Sequence, residues 1–188
     1  MYFAKFIPFI LSNEGGYVNN PLDTGGETNF GISKRSYKDL DIKNLTSKDA
    51  EKIYYKDFYL PLNIETLRNE KMQMAILDFA IHSGAKQAIK TLQRVLNVYG
   101  GNLSVDGKIG PITLKTLKYI TGRKGNELFK KYVDARLSFL KSLSDWKYFG
   151  KGWSYRINKI LKYKSSNSAG VLLGLILVST FSFKMFKQ

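Results

Sequence analysis

The stretch Glu14-Gly15-Gly16-Tyr17, followed at 23–32 by Asp-Thr-Gly-Gly-Glu-Thr-Asn-Phe-Gly-Ile, organises the whole chain. Before it, residues 3–11 place apolar side chains at the spacing of a helix that lies on a core. The two glycines end this helix, because glycine accepts the left-handed conformation of a C-terminal cap at little cost. Glu14 is then the last helical residue, where the helix macrodipole opposes a second negative charge. A half-buried carboxyl group in that position suits a general acid.

A second carboxylate and a hydroxyl follow the candidate acid. Asp23 comes nine positions after Glu14 in a glycine-rich turn, and Thr28 comes five positions later at the start of a short hairpin strand. An acid, a second carboxylate and a hydroxyl close to one cleft are the groups that glycoside hydrolysis needs. We predict that Glu14 protonates the leaving oxygen. Asp23 and Thr28 are then expected to position the water or stabilise the oxocarbenium charge.

This combined motif closely resembles the glycoside hydrolase family 108 N-acetylmuramidases, in which the glutamate of Glu-Gly-Gly-Tyr is essential. The resemblance implies a mainly α, lysozyme-like helical domain with a short β-hairpin at the active site. It also implies cleavage of the β-1,4 bond between N-acetylmuramic acid and N-acetylglucosamine. Tyr17 and Asn29 belong to the same motif and are predicted to bind substrate. The order Glu, Asp, Thr also resembles the triad of other phage lysozymes, although the interval from Asp23 to Thr28 is one residue shorter here.

The amino-acid composition limits the binding partners and the kinds of metal chemistry that we expect of the protein. The 188 residues include 30 Lys and Arg against 15 Asp and Glu, a net charge of +15, which either serves solubility or favours an anionic partner. We expect peptidoglycan and no nucleic acid, because no nucleic-acid-binding pattern is present. Without cysteine there is no thiolate metal site, and a single histidine argues against a histidine-rich metal centre. No metal or other cofactor is predicted.

Asp78 and His82 are the polar residues to explain in the apolar helix at 72–83. They are four positions apart and share one face, and an unpaired charge there would be costly. One interpretation is a structural pair, and the other is that both residues border the substrate groove beside Glu14. The family resemblance favours the second, since Asp78, His82 and Gly84 follow its Asp-x-x-x-Asn-x-Gly pattern, with His in place of Asn. Both residues are therefore predicted substrate ligands.

The second half of the chain contains two further motifs. Asp106-Gly107-x-x-Gly110-Pro111-x-Thr113 resembles peptidoglycan-binding repeats, and its Asp-Gly turn and helix-opening proline are expected to define the fold. An amphipathic helix is predicted over 127–143. Gly152-Trp153-x-x-Arg156 resembles another element of the family, in which Trp153 is expected to pack on the core and Arg156 to pair with a carboxylate. We predict a catalytic region at 1–84 and a peptidoglycan-binding-like helical region at 85–163 packed on it.

The C-terminal part predicts a membrane anchor. A polar linker at 164–168 precedes residues 169–183, which carry no charge. This hydrophobic helix is shorter than the ~20 residues of a usual span, although flanking lysines that reach the interface extend it. The alternative is a buried C-terminal helix. The expectation is a phage endolysin made in the host cytoplasm and held on the periplasmic side of the inner membrane by lipid contacts, with its orientation left open.

Two other functions are compatible with the sequence. A lytic transglycosylase would cut the same bond with one glutamate and no positioned water. A non-catalytic, membrane-tethered cell-wall-binding protein would not need Glu14 at all. The stereochemical course of hydrolysis depends on the distance between the two carboxylates, which the sequence does not give.

Overall fold

The computed structural model describes residues 2–19 and 26–165, and these are mainly α-helical. The elements in chain order are α1 (Phe3–Glu14), β1 (Thr28–Asn29), β2 (Ile32–Ser33), α2 (Ser47–Ile53), α3 (Glu70–Ser83), α4 (Ala85–Val98), α5 (Pro111–Lys141) and α6 (Trp146–Leu161). Helix α2 continues as a π-helical segment, Tyr54–Tyr59, and a short 3₁₀ turn, Leu60–Leu62. The two strands are antiparallel neighbours. The predicted mainly α fold with one short β-hairpin is confirmed.

Helix α1 carries Glu14 to the edge of the core. Its buried residues are Phe3, Phe6, Ile7 and Ile10, the apolar stripe expected from the sequence. At the C-terminal cap, Gly15 has φ 73° and ψ −178°. The predicted left-handed cap is therefore wrong. The φ is positive, as only glycine adopts readily, but the extended ψ leads the chain away from the helix axis.

Helix α3 is the central element of the core. All its residues from Met72 to Ala80 are buried, and it packs against α4, α5, α6 and the π-helical segment. Asn69 caps its N-terminus by accepting a hydrogen bond from the backbone N–H of Met72 at 2.9 Å. Because α3 is enclosed on every side, the carboxylate of Asp78 in its middle must find its partners inside the protein.

Helix α5 begins at Pro111, as the Gly-Pro motif predicted, and runs to Lys141. It has a non-helical residue, Lys124, so the helix predicted over 127–143 is the second half of a longer, kinked helix. The turn before it is built as expected. Asp106 accepts a hydrogen bond from the side chain of Gln93 at 2.8 Å, and the Gly107 N–H donates to Gln93 at 2.9 Å.

The predicted hydrophobic tail, 169–183, lies outside the described residues, as does most of the linker before it. Among the helices at 2–19 and 26–165, none combines the length and the apolar character needed to cross a bilayer.

Candidate active site

A two-residue turn brings the hairpin to the end of α1. Phe30 and Gly31 connect the strands with φ values of 50° and 74°, and positive φ at both positions defines the type I′ turn that suits a right-handed hairpin. The Phe30 carbonyl accepts a hydrogen bond from the Tyr54 hydroxyl at 2.7 Å. Thr28 also exchanges two backbone hydrogen bonds of 2.8 Å with Val18, shortly after Glu14. The turn is therefore held from both sides.

The turn packs directly on the Glu14 carboxyl group. A Cβ atom added to Gly31 would lie 2.6 Å from Glu14 Oε2, 3.1 Å from Glu14 Cβ and 2.8 Å from the Tyr54 hydroxyl oxygen. Glycine is thus required here by the backbone conformation and by the space. Burial, followed by the charge of Glu14, raises the pKa of Tyr54 above its ordinary value, so the phenol stays protonated and donates.

Two arginines and two carboxylates form a connected ion network behind the turn. Arg156 Nη2 donates to Glu14 Oε1 at 2.6 Å and to Asp78 Oδ1 at 2.9 Å. Arg156 Nε adds a bond of 3.0 Å to Asp78 Oδ2, which also accepts from Arg136 Nη1 at 2.7 Å. The exposed fraction of these side chains rises from 0% at Asp78 and 1% at Arg136 to 10% at Arg156 and 17% at Glu14. The network therefore runs from the core to the surface and ends on the candidate acid.

The pKa values of Asp78 and Arg156 follow from their neighbours in the network. Burial would raise the pKa of Asp78, but Arg136 and Arg156 outweigh burial and hold it below its ordinary value. Burial lowers the pKa of Arg156, and the two carboxylates more than compensate and raise it. Arg136 also lies over the Phe79 ring, 4.9 Å from its centroid. Removing one member would leave an uncompensated buried charge, which typically costs about 3–5 kcal/mol.

Glu14 is half-buried, which is the condition that the sequence analysis set for a general acid at this position. Two other groups also lie against the Glu14 carboxyl group: the Arg156 guanidinium binds Oε1, and the hairpin turn packs close to Oε2. Arg156 does pair with a carboxylate, as the family resemblance implied, and it pairs with two.

The other residues predicted for the site lie in different surroundings from one another, and one is outside the described residues. Asp23 lies outside the described residues. Tyr17 is 40% exposed and donates to Glu27 at 3.0 Å. Asn29 is buried, and its amide donates to two backbone carbonyl groups of the 42–45 segment, at 3.1 and 3.3 Å. Thr28 precedes it in the strand, so its side chain is on the opposite face of the hairpin. The roles of these residues in catalysis and substrate binding stay predictions.

Asp78 and His82 do not form the pair that their spacing suggested. Asp78 bonds to the two arginines, whereas His82 Nδ1 lies 2.8 Å from the Ser83 hydroxyl and its ring packs edge-on against Trp153. Burial, then the two arginines, lowers the pKa of His82 to about 4, so it is neutral near pH 7. A fully buried Asp78 reaches the site only through Arg156. That either residue binds substrate stays a prediction.

Sequence reasoning missed Arg136. A signal was present, because Tyr132, Arg136 and Leu140 follow at intervals of four on the buried stripe of α5. A charged residue on such a stripe needs a buried partner of opposite charge. Which partner it finds is decided by the tertiary fold.

Comparisons with known proteins identify matches to two family models and to a solved structure. The family model described as Glycosyl hydrolase 108 matches residues 7–84. A second model, described as Predicted Peptidoglycan domain, matches residues 87–158. SagA of Brucella abortus is similar in structure, with a TM-score of 0.70 and 35% sequence identity over 84% of this chain and 90% of that chain. A search of curated proteins finds no match.

The fold and the family matches together define a glycoside hydrolase that acts on peptidoglycan. The chain belongs to the glycosyl hydrolase 108 family and carries a peptidoglycan-binding-like segment. The ion network spans both matched regions. Glu14 and Asp78 come from the first, and Arg136 and Arg156 come from the second.

Proposed function

We propose that this protein is an N-acetylmuramidase that hydrolyses the β-1,4 bond between N-acetylmuramic acid and N-acetylglucosamine. The observation that carries the proposal is the placement of Glu14. Its carboxyl group is partly exposed and is held at once by the end of α1, the hairpin turn and Arg156 of α6. A fixed, solvent-reachable carboxyl group is what a general acid for glycosidic cleavage requires.

In the proposed reaction, Glu14 donates its proton to the glycosidic oxygen as the bond from that oxygen to the anomeric carbon breaks. Water then adds to the anomeric carbon, and the proton that it loses passes to a carboxylate of the site or to solvent, from which Glu14 is protonated again. Arg156 binds Glu14 Oε1 at 2.6 Å and stabilises the carboxylate that remains after proton transfer. We assign the positioning of water, or the stabilisation of the oxocarbenium charge, to Asp23 and Thr28.

We further propose that the enzyme is a phage endolysin anchored at the periplasmic side of the host inner membrane by residues 169–183. The support comes from the uncharged sequence of that segment and from the net charge of +15, which suits an anionic wall and an anionic membrane surface. Truncation after Lys164 is expected to move the protein from the membrane fraction to the soluble fraction. Equal membrane binding by the truncated protein would contradict the anchor.

The experiment that tests the reaction is digestion of purified peptidoglycan, with the products identified by mass spectrometry. We expect muropeptides with reducing N-acetylmuramic acid ends, and a rate at least about 100-fold lower for Glu14→Gln. Glu127→Gln is the matched control, because Glu127 is exposed and pairs with Lys124 and Tyr99 away from the network.

The other outcomes separate the alternatives. Anhydro-muramoyl ends would replace the hydrolase by a lytic transglycosylase. Wall binding without product release, equal in the parent and in Glu14→Gln, would identify a non-catalytic wall-binding protein.

A further inference from the structure

The outer side of α6 has an open groove with a volume of about 740 Å³. Its walls include Trp146, Lys147, Tyr148, Lys151 and Tyr155. Lys147, Tyr148, Lys151 and Tyr155 are exposed and form the outer side of the groove, whereas Trp146 is partly buried and packs against the core. From Trp146 to Tyr155 the helix rises roughly 14 Å, which is room for more than one sugar ring.

The floor of the groove is built around Gly150. A Cβ atom there would lie 2.8 Å from the Trp146 indole ring, so only glycine lets this ring lie against the helix. The indole is held further by Trp153, at 6.0 Å between ring centroids, and by Lys141, whose Nζ lies 6.0 Å from its centroid. A ring fixed in this way loses little conformational freedom when a ligand binds.

The rim of the groove combines exposed aromatic rings with positive charge. Tyr148 is 71% exposed and Tyr155 is 67% exposed, and both rings line the same groove. Lys147 and Lys151 flank them, and none of the described residues of the lining is Asp or Glu. Aromatic faces pack on the apolar faces of sugar rings, and ammonium groups pair with carboxylates. Along a peptidoglycan strand such groups are the lactyl carboxylates of N-acetylmuramic acid residues that carry no stem peptide, and the carboxylates of the stem peptides elsewhere.

One end of the groove lies close to the end of α1. Tyr155 is the neighbour of Arg156, which binds Glu14. Lys159 lies over the Tyr155 ring at 5.9 Å and donates to Asn13 at 2.6 Å. One end of the groove is therefore connected to the residue next to Glu14 by two contacts.

We propose that the α6 groove binds the anionic amino-sugar strand of peptidoglycan outside the bond that is cleaved. The strand stacks on Trp146, Tyr148 and Tyr155, and its carboxylates pair with Lys147 and Lys151. This inference rests on the proposed function for its substrate class and extends it from the cleaved bond to the strand beyond.

The test measures binding of the full-length Glu14→Gln protein to peptide-free peptidoglycan glycan strands by calorimetry. In that background, Tyr148→Ala with Tyr155→Ala, and separately Lys147→Glu with Lys151→Glu, are expected to raise Kd roughly tenfold. Matched controls are Tyr119→Ala, an exposed tyrosine of α5, and Lys115→Glu with Lys131→Glu, a lysine pair on the same helix. They should change Kd less than about twofold.

Binding of a neutral N-acetylglucosamine hexamer separates the contribution of the aromatic rings from that of the lysine charges. The tyrosine variant should bind it more weakly than the parent does, whereas the lysine variant should bind it equally well. Unchanged Kd values for the strands in both groove variants would overturn the proposal. It would also be overturned if these variants kept strand binding and lost binding to phosphatidylglycerol vesicles, because the groove would then be a membrane surface.

The experiment distinguishes loss of binding from loss of folding, and failure of the groove proposal from failure of the proposed function. The lysine pair is exposed, so its reversal keeps the test valid even if the tyrosine variant unfolds in a circular dichroism melt. Binding is measured without cleavage. Failure of the groove proposal therefore appears as unchanged Kd, and failure of the proposed function appears as absent or Glu14-independent product release from the parent protein.

Discussion

The two matched regions of the chain, 7–84 and 87–158, contribute opposite charges to one site. The first region supplies the carboxylates of Glu14 and Asp78, and the second supplies the guanidinium groups of Arg136 and Arg156. The first also supplies the hairpin turn that covers the acid, and the second supplies the outer groove. The difference shows that the region with the signature motif does not build the site alone, because the cation that holds Glu14 comes from the last described helix.

Removing Asp78 should have the largest effect on stability. Asp78→Ala leaves two buried guanidinium groups without their shared partner, and we expect the free energy of unfolding in urea to fall by about 3–5 kcal/mol. Asp134→Ala is the control, since Asp134 pairs with Lys130 at the surface, and its loss should cost less than about 1 kcal/mol. Equal losses in the two variants would mean that the network contributes no more than a surface pair.

Arg156→Lys should lower activity more than stability. Lysine keeps the positive charge but cannot contact both carboxylates with the planar geometry of Arg156. We expect kcat for peptidoglycan digestion to fall by about 10- to 100-fold with little change in KM, because the acid is mispositioned. The measurement is steady-state kinetics on soluble glycan strands, and a change in KM alone would indicate a role in substrate binding instead.

Gly31→Ala tests the contact between the turn and the acid. Its positive φ costs about 1–2 kcal/mol in any L-residue, and the added Cβ atom also meets Glu14 Oε2 at 2.6 Å. Gly26→Ala is a close control, because φ is +72° there and the nearest atom to the added Cβ is 3.8 Å away. Gly31→Ala should lose more stability than Gly26→Ala, because only it adds a steric clash, and only Gly31→Ala should also lose kcat. Equal kcat in the two would show that the turn does not position Glu14.

The smallest expected effect concerns His82 and pH. Its pKa is lowered to about 4 in the folded protein, so the unfolded chain binds its proton more readily. His82 therefore contributes stability above its ordinary pKa of about 6.5, and this contribution is lost as the pH falls from there towards 4. His82→Asn should flatten the unfolding free energy across that interval. An NMR titration midpoint near 6.5 would contradict the buried, arginine-flanked position.

Local sequence features predicted the elements that carry the site. The apolar spacing before Glu14, the double glycine and the short Gly-rich segment were sufficient for α1 and the hairpin. Two local details of the backbone were not predicted from the sequence. Gly15 has an extended ψ, and the helix after Ile53 becomes π-helical, with the Leu60 N–H bonded to the Tyr55 carbonyl. Both details are set by how these segments pack against the rest of the protein, which local sequence does not specify.

The ion network could not be predicted from spacing. Asp78 has a local candidate partner at His82, four residues away, but its actual partners are Arg136 and Arg156, 58 and 78 residues away. In a buried position a full positive charge compensates a carboxylate better than a neutral imidazole, so the long-range pair is favoured. Only the packing of α3 against α5 and α6 shows that these groups can meet.

The most direct test of the central claim is whether Arg156 acts through Glu14. Initial rates of muropeptide release are measured for the parent, Glu14→Gln, Arg156→Lys and the double variant. If Arg156 serves to hold the acid, adding Arg156→Lys to Glu14→Gln should change the residual rate by less than about twofold, because the interaction is already lost. A further fall equal to that caused by Arg156→Lys in the parent would show that the two residues act independently, and would contradict the account.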